Sequence, residues 1–381
     1  MDAYALDGVD IEEGDDFSAF AGAVCHRSFN NSQYIRVHDL SDGYFRGVRS
    51  FNPINLPEGW SLDLTSDGVG TKVIVHDAAL MHKGAAQDLV AMCCGDITRN
   101  GGCPVLFNND LSAQSIGKKG DEVNQAFRGM IDELGRIAEQ MNIVLFRGET
   151  AELPGCIKFN NPTARASFVW SGSALGLYMP QLMITGGSVT AGDQIIALKE
   201  LGFRANGISS VRKAFTERYG TGWFDHPVAL LEGGHLSQAA VPSVLYDPFL
   251  THINGWYTGS FEPLVSVKQL IHVTGGAFGG KLGADFLFRR RLSADLPDLF
   301  DPPEIMQLCQ EWRGMTDEEA YSTWNGGQGL LAIVSPDDVT GFLSAATEFG
   351  HVAKVCGQVT KSPEPKITIT SKFSGEVITY S

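Results

Sequence analysis

The hexapeptide DGVGTK, residues 67–72, combines residue types that could bind phosphate. Glycine permits close backbone approach and positive φ angles, lysine supplies a point charge suited to phosphate, and Asp67 could hold a metal ion. It is not a Walker A loop, because Thr71 precedes Lys72 and no G-x-x-x-x-G-K-[ST] frame fits. Taken alone, the hexapeptide is more typical of a polar turn that closes a strand.

Further acidic residues follow or flank apolar segments in the same half of the chain. Asp88 and Asp96 are eight residues apart in a helical pattern, so they lie on roughly one face, about two turns from each other. Glu149 lies in the segment RGETAELPG, directly after a strand pattern. Ligands of α/β folds bind at strand ends, and carboxylates that converge there need a divalent cation to offset their repulsion. Magnesium with nucleotide phosphate is the common solution. Alternatively, Asp96 caps a helix and Glu149 lies on a solvated turn.

The elements that would position these residues alternate between strand and helix patterns, which indicates an α/β fold. The strand pattern SLDLT precedes the hexapeptide, and KVIVHD predicts a second strand directly after it. Helices are predicted over residues 87–99 and 122–141, followed by the strand patterns IVLF and ASFVWSGSALGLY. Glycines near residue 186 mark a boundary, so we expect one domain over residues 1–180 and another over residues 181–381.

The second domain repeats the alternation. Strands are predicted at QIIAL, IHVTGG and GLLAIVS, and helices at ISSVRKAF, LVSVKQL, DEEAYSTW and DVTGFLSAATEF. The final segment, KITITSKFSGEVITY, alternates around a Ser-Gly turn, which predicts a terminal hairpin.

Bulk composition excludes several classes of protein. The net charge of -15 argues against sequence-independent nucleic-acid binding, which needs a basic surface. The seven cysteines are odd in number and include no C-x-x-C pair, so neither a disulfide framework nor a zinc site is indicated. The N-terminal segment lacks a secretory pattern, and no apolar run approaches the roughly 20 residues of a membrane helix. We therefore expect a cytoplasmic protein that binds neither nucleic acid nor membrane.

The segments DGVGTK, HKGAAQDLVAMCCGDI and RGETAELPG together resemble the signature of the AIR synthetase (phosphoribosylformylglycinamidine cyclo-ligase) family. Four more segments are similar to other motifs of that family, in the family's order: YALDGVDIEEG, RANGISSVRK, IHVTGGAFGG and TWNGGQG. The matches extend from Tyr4 to Gly329 and so cover nearly the whole chain.

This resemblance implies a two-domain α/β (α+β) fold of the AIR synthetase type. The N-terminal domain would bind ATP and pair with its twin in a homodimer to form a β-barrel, and the C-terminal domain would be mixed α/β. ATP and Mg2+ are the implied cofactors, and the implied small-molecule substrate is formylglycinamidine ribonucleotide. In the family, the formyl amide oxygen is phosphorylated, a neighbouring amine nitrogen attacks that carbon, phosphate leaves, and the imidazole ring of aminoimidazole ribotide closes.

The resemblance also implies roles for individual residues. Magnesium would be held by Asp67, Asp96 and Glu149. The phosphate path and the loops that border the nucleotide cleft would be formed by Gly68, Gly70, Thr71, Lys72, Asn206, Gly207, Thr274, Gly275 and Gly276. The catalytic candidates are His82, Asp88 and Lys72, without an assigned step. For His82, a hydrogen-bonded histidine in the core is an equal alternative.

The chain departs from the family pattern at the glycine-rich loop that would fold over the nucleotide phosphates. Residues 41–55 read SDGYFRGVRSFNPIN, where the family has G-G-x-G-G-F-G. The bulkier Tyr44 and Phe45 cannot offer the same close backbone approach. Arg46 or Arg49 could contribute charge instead.

Other departures affect the expected ligand contacts. Arg147 replaces the first glycine of the family's GGET, and Gly95 replaces an asparagine. Leu250 replaces an arginine that is expected to face the substrate, and Arg204 and Ala205 replace the His and Ser of the family's HSNGYS. Two alternatives therefore stay open beside AIR synthetase chemistry. One is a sister ATP-dependent enzyme that phosphorylates another oxygen or selenium nucleophile. The other is a non-catalytic paralogue that binds nucleotide or serves as a dimeric scaffold.

Overall fold

The structure is a computed structural model that describes residues 11–40, 48–225 and 234–381. Within it the chain divides into two units. The first comprises residues 1–97 and 102–180, and the second comprises residues 98–101 and 181–381. Each unit contains both helices and strands, so the mixed α/β class expected from the sequence is confirmed.

The first unit contains a two-stranded and a four-stranded sheet. Its elements are α1 (Ile11–Arg27), β1 (Ile35–Leu40), β2 (Val48–Pro53), β3 (Ser61–Gly68), α2 (Lys72–Ala78), α3 (Gly84–Thr98), β4 (Cys103–Ala113), α4 (Glu122–Met141), β5 (Val144–Glu152) and β6 (Phe168–Tyr178). Strands β1 and β2 pair with each other, and the larger sheet has the order β3-β6-β4-β5. Only the β4–β5 pair of the larger sheet is parallel. Among the described residues this sheet is open, with β3 at one edge, and forms no closed barrel.

Helix α3 packs against one face of the four-stranded sheet, called here the inner face. The Thr65 hydroxyl donates a hydrogen bond to the Cys93 carbonyl at 2.8 Å, and the Cys93 thiol lies 3.4 Å from the Gly172 carbonyl. The opposite, outer face carries polar side chains toward the ends of the strands, and helix α1 packs near its β5 edge. Side chains that alternate along each strand are therefore divided between a packed face and an open one.

The segment KVIVHD forms helix α2, so the strand predicted there is wrong. Its β-branched residues favour a strand locally, but tertiary contacts override that preference. Lys72 and His76 lie one helical turn apart and both contact Asp88 of α3. A strand would place these side chains about 13 Å apart along the chain and could not bring both to one carboxylate.

The second unit is built on a seven-stranded sheet of order β13-β12-β9-β11-β7-β10-β8. Its elements are β7 (Gln194–Lys199), α5 (Ile208–Tyr219), α6 (His235–Ala239), α7 (Asp247–Ile253), β8 (Val267–His272), a π-helix (Ala277–Leu287), β9 (Ser293–Leu296), α8 (Glu304–Arg313), α9 (Asp317–Thr323), β10 (Gln328–Val334), α10 (Val339–Glu348), β11 (Ala353–Thr360), β12 (Ile367–Thr370) and β13 (Val377–Tyr380). The β9–β12 pair is parallel and the other pairs are antiparallel.

Both faces of this sheet are buried. Ile195 and Ala197 of β7 belong to one apolar cluster, while Ile196 and Leu198 belong to another on the opposite face. This explains why the central strands read as continuous apolar runs. The predicted terminal hairpin is confirmed by the β12–β13 pair, whereas LVSVKQL is not a helix, because its last residues form β8.

Among the described residues, no helix combines the length and apolar character needed to cross a bilayer.

Candidate functional site

The first unit contains a cavity of about 1340 Å³ between helix α1 and the outer face of its four-stranded sheet. Strand register arranges the sheet wall in cross-strand rows. One row, the acid row, consists of Gly68, Ser171, Asp110 and Glu149. The next row, the donor row, consists of Ser66, Ser173, Asn108 and Arg147. The two rows lie two residues, or about 7 Å, apart along the strands.

The acid row brings two carboxylates onto neighbouring strands. Asp110 of β4 is directly opposite Glu149 of β5, and both side chains are exposed to the cavity. Asp67 and Asp15 line the same cavity. Carboxylate oxygens are the protein ligands that magnesium prefers, and magnesium usually completes its shell with water and phosphate oxygens. The chemistry of this wall therefore fits a divalent cation that is shared with a phosphate group.

These acids do not by themselves form a complete set of metal ligands. Within the described ranges, no group of three or more histidine, cysteine, aspartate or glutamate side chains is placed to hold a metal ion. Of the three acids expected to bind magnesium, Asp67 and Glu149 lie on the cavity wall. Asp96 lies on α3, about one turn beyond Cys93, whose thiol is 3.7 Å from the Asp67 carbonyl oxygen. The next residue, Ile97, has a carbonyl that accepts a hydrogen bond from the Tyr178 hydroxyl, and Tyr178 is opposite Ser61 at the start of β3. Helix α3 therefore carries Asp96 from the end of β3 toward its start, on the inner face.

Asp110 is a cavity acid that sequence reasoning missed. The segment CPVLFNND is correctly predicted as a strand, but only the position of its single acid, Asp110, at the end of the segment suggests a ligand. This position is informative, because Asp110 lies toward the carboxyl end of a strand whose other residues are buried or half-buried. Only the register shows that it lies beside Glu149.

The hexapeptide forms the end of β3 and the start of α2. The Asp67 carboxylate accepts a hydrogen bond from the Gly68 amide at 2.7 Å. Gly70 has a φ angle of 61°, which a residue with a side chain rarely adopts, and this turn directs the chain into α2. Thr71 is exposed before the first helical residue, Lys72. The hexapeptide is thus a turn that closes a strand, and its acid also lines the cavity.

Lys72 turns away from solvent into a buried network. Its Nζ atom lies 3.0 Å from Oδ1 and 2.9 Å from Oδ2 of Asp88, and both side chains are fully buried. His76 Nε2 lies 2.7 Å from Asp88 Oδ2. Burial lowers the pKa of His76, which favours the neutral imidazole as the donor to Asp88. His76 Nδ1 has no hydrogen-bond partner among the described residues.

His82 belongs to a second buried pair. Its Nε2 atom lies 2.9 Å from Oδ1 of Asp77, and the same carboxylate accepts the Ala166 amide at 2.8 Å and the Arg165 amide at 3.2 Å. The structure therefore supplies the partner that a hydrogen-bonded core histidine needs. It also gives His82 an orienting carboxylate, as an acid–base histidine requires.

The second unit contains the remaining predicted ligand residues. Asn206, Thr274 and Gly275 line one small recess. The Asn206 Oδ1 atom is buried and has no hydrogen-bond partner in the described part of the chain. The Thr274 hydroxyl accepts a hydrogen bond from Lys281. Gly276 follows with a φ angle of 72° and precedes the π-helix.

Gly207 occupies a position that only glycine satisfies. Its φ angle is 72°, and it lies at the N-terminus of α5. A Cβ atom there would lie 2.5 Å from the Thr323 carbonyl oxygen. Trp324 Nε1 also donates a hydrogen bond to the Gly207 carbonyl at 3.2 Å. Gly207 therefore allows α5 and the end of α9 to approach closely.

Two residues of the second unit that depart from the family pattern have structural roles. Arg204 is buried and forms an ion pair with Glu200 at 3.0 Å. Leu250 of α7 is 2% exposed and belongs to one of the apolar clusters. The altered glycine-rich segment is described only from Val48 onward, so Tyr44, Phe45 and Arg46 lie outside the described residues.

Comparison with known proteins identifies the family. Residues 51–177 match the family model described as AIR synthase related protein, N-terminal domain. A phosphoribosylformylglycinamidine cyclo-ligase from Anaeromyxobacter dehalogenans is 31% identical over 357 residues, which cover 93% of this chain and 95% of the relative. The chain belongs to the AIR synthetase family. A cyclo-ligase of the same name from Alkaliphilus oremlandii is 28% identical over 367 residues, covering 96% of this chain and 98% of the relative. The chain is thus an enzyme of this family.

Solved structures share the fold of this AIR synthetase family member. Thiamine-monophosphate kinase from Stenotrophomonas maltophilia matches with a TM-score of 0.57 and 13% identity, over 94% of this chain and 96% of the kinase. Hydrogenase maturation protein HypE, crystallised in complex with ATP, matches with a TM-score of 0.56 and 13% identity, over 93% of this chain and 91% of HypE. At such identities the likeness concerns the fold alone.

Proposed function

We propose that this protein is an ATP-dependent phosphoribosylformylglycinamidine cyclo-ligase of purine biosynthesis. In this proposal the cavity of the first unit binds the phosphates of ATP together with Mg2+. The observation that supports it most is the cross-strand pairing of Asp110 with Glu149 on the cavity wall, beside a row of hydrogen-bond donors. An acid row next to a donor row matches the needs of a metal ion and its phosphate group.

The carboxylates of Asp110, Glu149 and Asp67 would bind the metal ion, and Asp96 is a further candidate from α3. Bound ATP would supply the phosphoryl group that makes the formyl amide oxygen a good leaving group, and Mg2+ would offset the charge of the phosphates. The protein's part is mainly to position the phosphates and offset their charge, as in other phosphoryl transfers. Gly68, Gly70 and Thr71 would let the backbone approach the phosphates at the end of β3.

The three catalytic candidates are proposed to act differently. Lys72 and Asp88 are fully buried, so in this arrangement they position α2 and the turn before it. The His82 side chain is 10% exposed and is oriented by Asp77, which makes it the candidate for proton transfer. Such a role requires that the substrate amine or amide comes within hydrogen-bond reach of the imidazole.

The recess of the second unit is proposed to be a ligand contact of its own. The side-chain oxygen of Asn206 is buried, and no described residue donates a hydrogen bond to it. A buried acceptor without a partner costs free energy, which a donor group of a ligand would recover. Thr274 and Gly275 line the same recess, and Gly207 directly follows Asn206 in the chain. An amine or hydroxyl of the ligand would satisfy Asn206.

We also propose that the protein is a homodimer that pairs through the first unit. Strand β3 lies at the sheet edge and exposes Leu62 (48%) and Leu64 (67%), and Val169 of β6 is 50% exposed. An apolar edge strand in water favours pairing with another chain. A second copy would cover these residues and could close the sheets of two copies into the β-barrel that the family resemblance implies.

The direct test combines purified protein, ATP, Mg2+ and formylglycinamidine ribonucleotide. Phosphate release that depends on the ribonucleotide, with formation of aminoimidazole ribotide, supports the proposal. Nucleotide binding without turnover of this substrate contradicts the assigned substrate and favours a sister ATP-dependent activity. Absence of nucleotide binding contradicts the whole proposal and favours a non-catalytic paralogue.

A further inference from the structure

Arg147 is a cation on the wall of the first-unit cavity whose charge no described acid neutralises. Its side chain is exposed and lines the cavity, and its guanidinium carbon lies 5.6 Å from the centre of the Phe146 ring. The guanidinium forms no ion pair with any residue that the structure describes, although Asp110 and Glu149 line the same cavity. The charge is therefore available to a ligand.

The backbone of Arg147 is fixed by its neighbour in the donor row. Its amide donates a hydrogen bond to the Asn108 side-chain oxygen at 3.0 Å. This bond leaves the amide group of Asn108 as a donor beside the guanidinium. Further along the row, the hydroxyls of Ser66 and Ser173 lie 2.6 Å apart. Because one hydroxyl of such a pair donates to the other, the second hydroxyl still has a hydrogen to offer.

The second arginine that lines this cavity in the described part of the chain is already paired. Arg49 lies 3.1 Å from the Asp39 carboxylate and 3.0 Å from His26 Nε2, and it donates to the Phe146 carbonyl. Its charge is therefore largely offset within the protein. Arg147 differs because its guanidinium lies beside the Phe146 ring and forms no ion pair within the described ranges.

We propose that Arg147 binds a phosphate group of the ligand in this cavity, with Asn108 and Ser173 as neighbouring donors. The guanidinium is planar and offers paired N–H groups that match two phosphate oxygens. The acid row and the donor row lie about 7 Å apart. A metal ion bound at the acid row and a phosphate bound at the donor row would therefore partly neutralise each other's charge. The proposal rests on the proposed function for the identity of the ligand, but the phosphate contact itself is independent of turnover.

Two phosphate sources fit this chemistry, namely the nucleotide and the ribonucleotide substrate. The test uses the full-length protein with Mg2+ and compares wild type with Arg147→Gln and Arg147→Lys. Calorimetric titration measures the Kd of β,γ-imido-ATP, of ADP and of formylglycinamidine ribonucleotide. The matched control is Arg136→Gln on α4, where an exposed arginine pairs with Glu133 and does not line the cavity.

Arg147→Gln is expected to raise the Kd of at least one of these ligands by roughly 10- to 100-fold, because a hydrogen bond to a charged group is lost. Arg147→Lys keeps the charge without the paired geometry and is expected to recover only part of the affinity. A loss confined to the nucleotides identifies the nucleotide phosphates as the bound group. A loss confined to the ribonucleotide identifies the substrate phosphate.

Affinities within about twofold of wild type for all three ligands in Arg147→Gln would overturn the proposal. Binding that Arg136→Gln weakens as much as Arg147→Gln does would also overturn it, as would a wild-type protein that binds none of the three ligands. Failure of wild type to form aminoimidazole ribotide, with Arg147-dependent phosphate binding intact, would instead contradict only the proposed reaction. The two failures are therefore distinguishable.

Discussion

Lys72 Nζ lies within 3.0 Å of both carboxylate oxygens of Asp88, and neither side chain has any exposed surface. The pair joins the first turn of α2 to the middle of α3, directly after the turn that contains Gly70. The lysine of the hexapeptide therefore acts within the protein interior. Its contact with Asp88 holds the start of α2 against α3.

Removing one partner of this pair should destabilise the protein strongly. Lys72→Met leaves the Asp88 carboxylate buried without its cation, and such a change costs about 3–5 kcal/mol. We expect a lower urea midpoint in circular dichroism, whereas the exposed Lys118→Met should leave it unchanged. The double variant Lys72→Met/Asp88→Leu should be more stable than Lys72→Met. A double variant that is less stable would show that the pair is not the source of the effect.

The acid row should control magnesium-dependent nucleotide binding. Asp110→Asn and Glu149→Gln keep the size of each side chain but remove its charge, so we expect at least roughly tenfold weaker binding of β,γ-imido-ATP in Mg2+. Glu139→Gln, on the exposed side of α4, is the control. Circular dichroism should show an unchanged fold. Binding that stays at the wild-type level in both variants would rule out this wall as the metal site.

Asp96→Ala tests whether α3 also contributes a metal ligand. We expect it to weaken magnesium-dependent nucleotide binding while the fold survives, because the resemblance to the family implies that this carboxylate of α3 is a metal ligand. The measurement is the ratio of the Kd values with and without Mg2+. A ratio equal to that of wild type would remove Asp96 from the metal site and leave Asp67, Asp110 and Glu149.

A charge on the edge strand should prevent dimer formation. Leu64 is 67% exposed on β3, and Leu64→Glu places a carboxylate where a second copy would pack. Sedimentation velocity should then show a monomer, while wild type sediments as a dimer. Leu201→Glu is a matched control in the second unit, since Leu201 is 60% exposed there. A dimeric Leu64→Glu variant would contradict pairing through this edge.

Asp247 should make stability depend on pH. Burial raises its pKa from 3.8 to about 6, although the Thr98 hydroxyl donates to the carboxylate at 2.8 Å. Because the folded pKa exceeds the unfolded one, the stabilising contribution is full below about pH 4 and is lost as the pH rises through about 6. We expect Asp247→Asn to raise the urea midpoint at neutral pH and to flatten its change across this window. Exposed Asp337→Asn serves as the control, and an unchanged profile in Asp247→Asn would contradict the assignment.

Most long elements could be predicted from sequence because their periodicity matches their burial. The apolar stripe of α4, with Phe127, Met130 and Leu134 buried, and the terminal hairpin are examples. Helix α2 could not be predicted in this way, because its β-branched residues favour a strand. Its helical form depends on contacts from Lys72 and His76 to Asp88, which a local pattern does not contain.

The candidate site was predictable in part. The motifs indicated Asp67 and Glu149, which do line the cavity. They also indicated that Lys72 faces phosphate, but residue type alone does not show on which side of α2 a lysine lies. Asp110 depends on the register between β4 and β5, and sequence spacing does not determine a register.

The most direct test of the central claim measures aminoimidazole ribotide and phosphate in one reaction of wild type and Glu149→Gln. Both proteins receive ATP, Mg2+ and formylglycinamidine ribonucleotide at saturating concentrations. We predict that wild type forms the two products in equal amounts and that Glu149→Gln forms both at least roughly 100-fold more slowly, since charge neutralisation at the phosphates is lost. Wild type that forms no aminoimidazole ribotide, or Glu149→Gln that forms it at the wild-type rate, would contradict the proposed function.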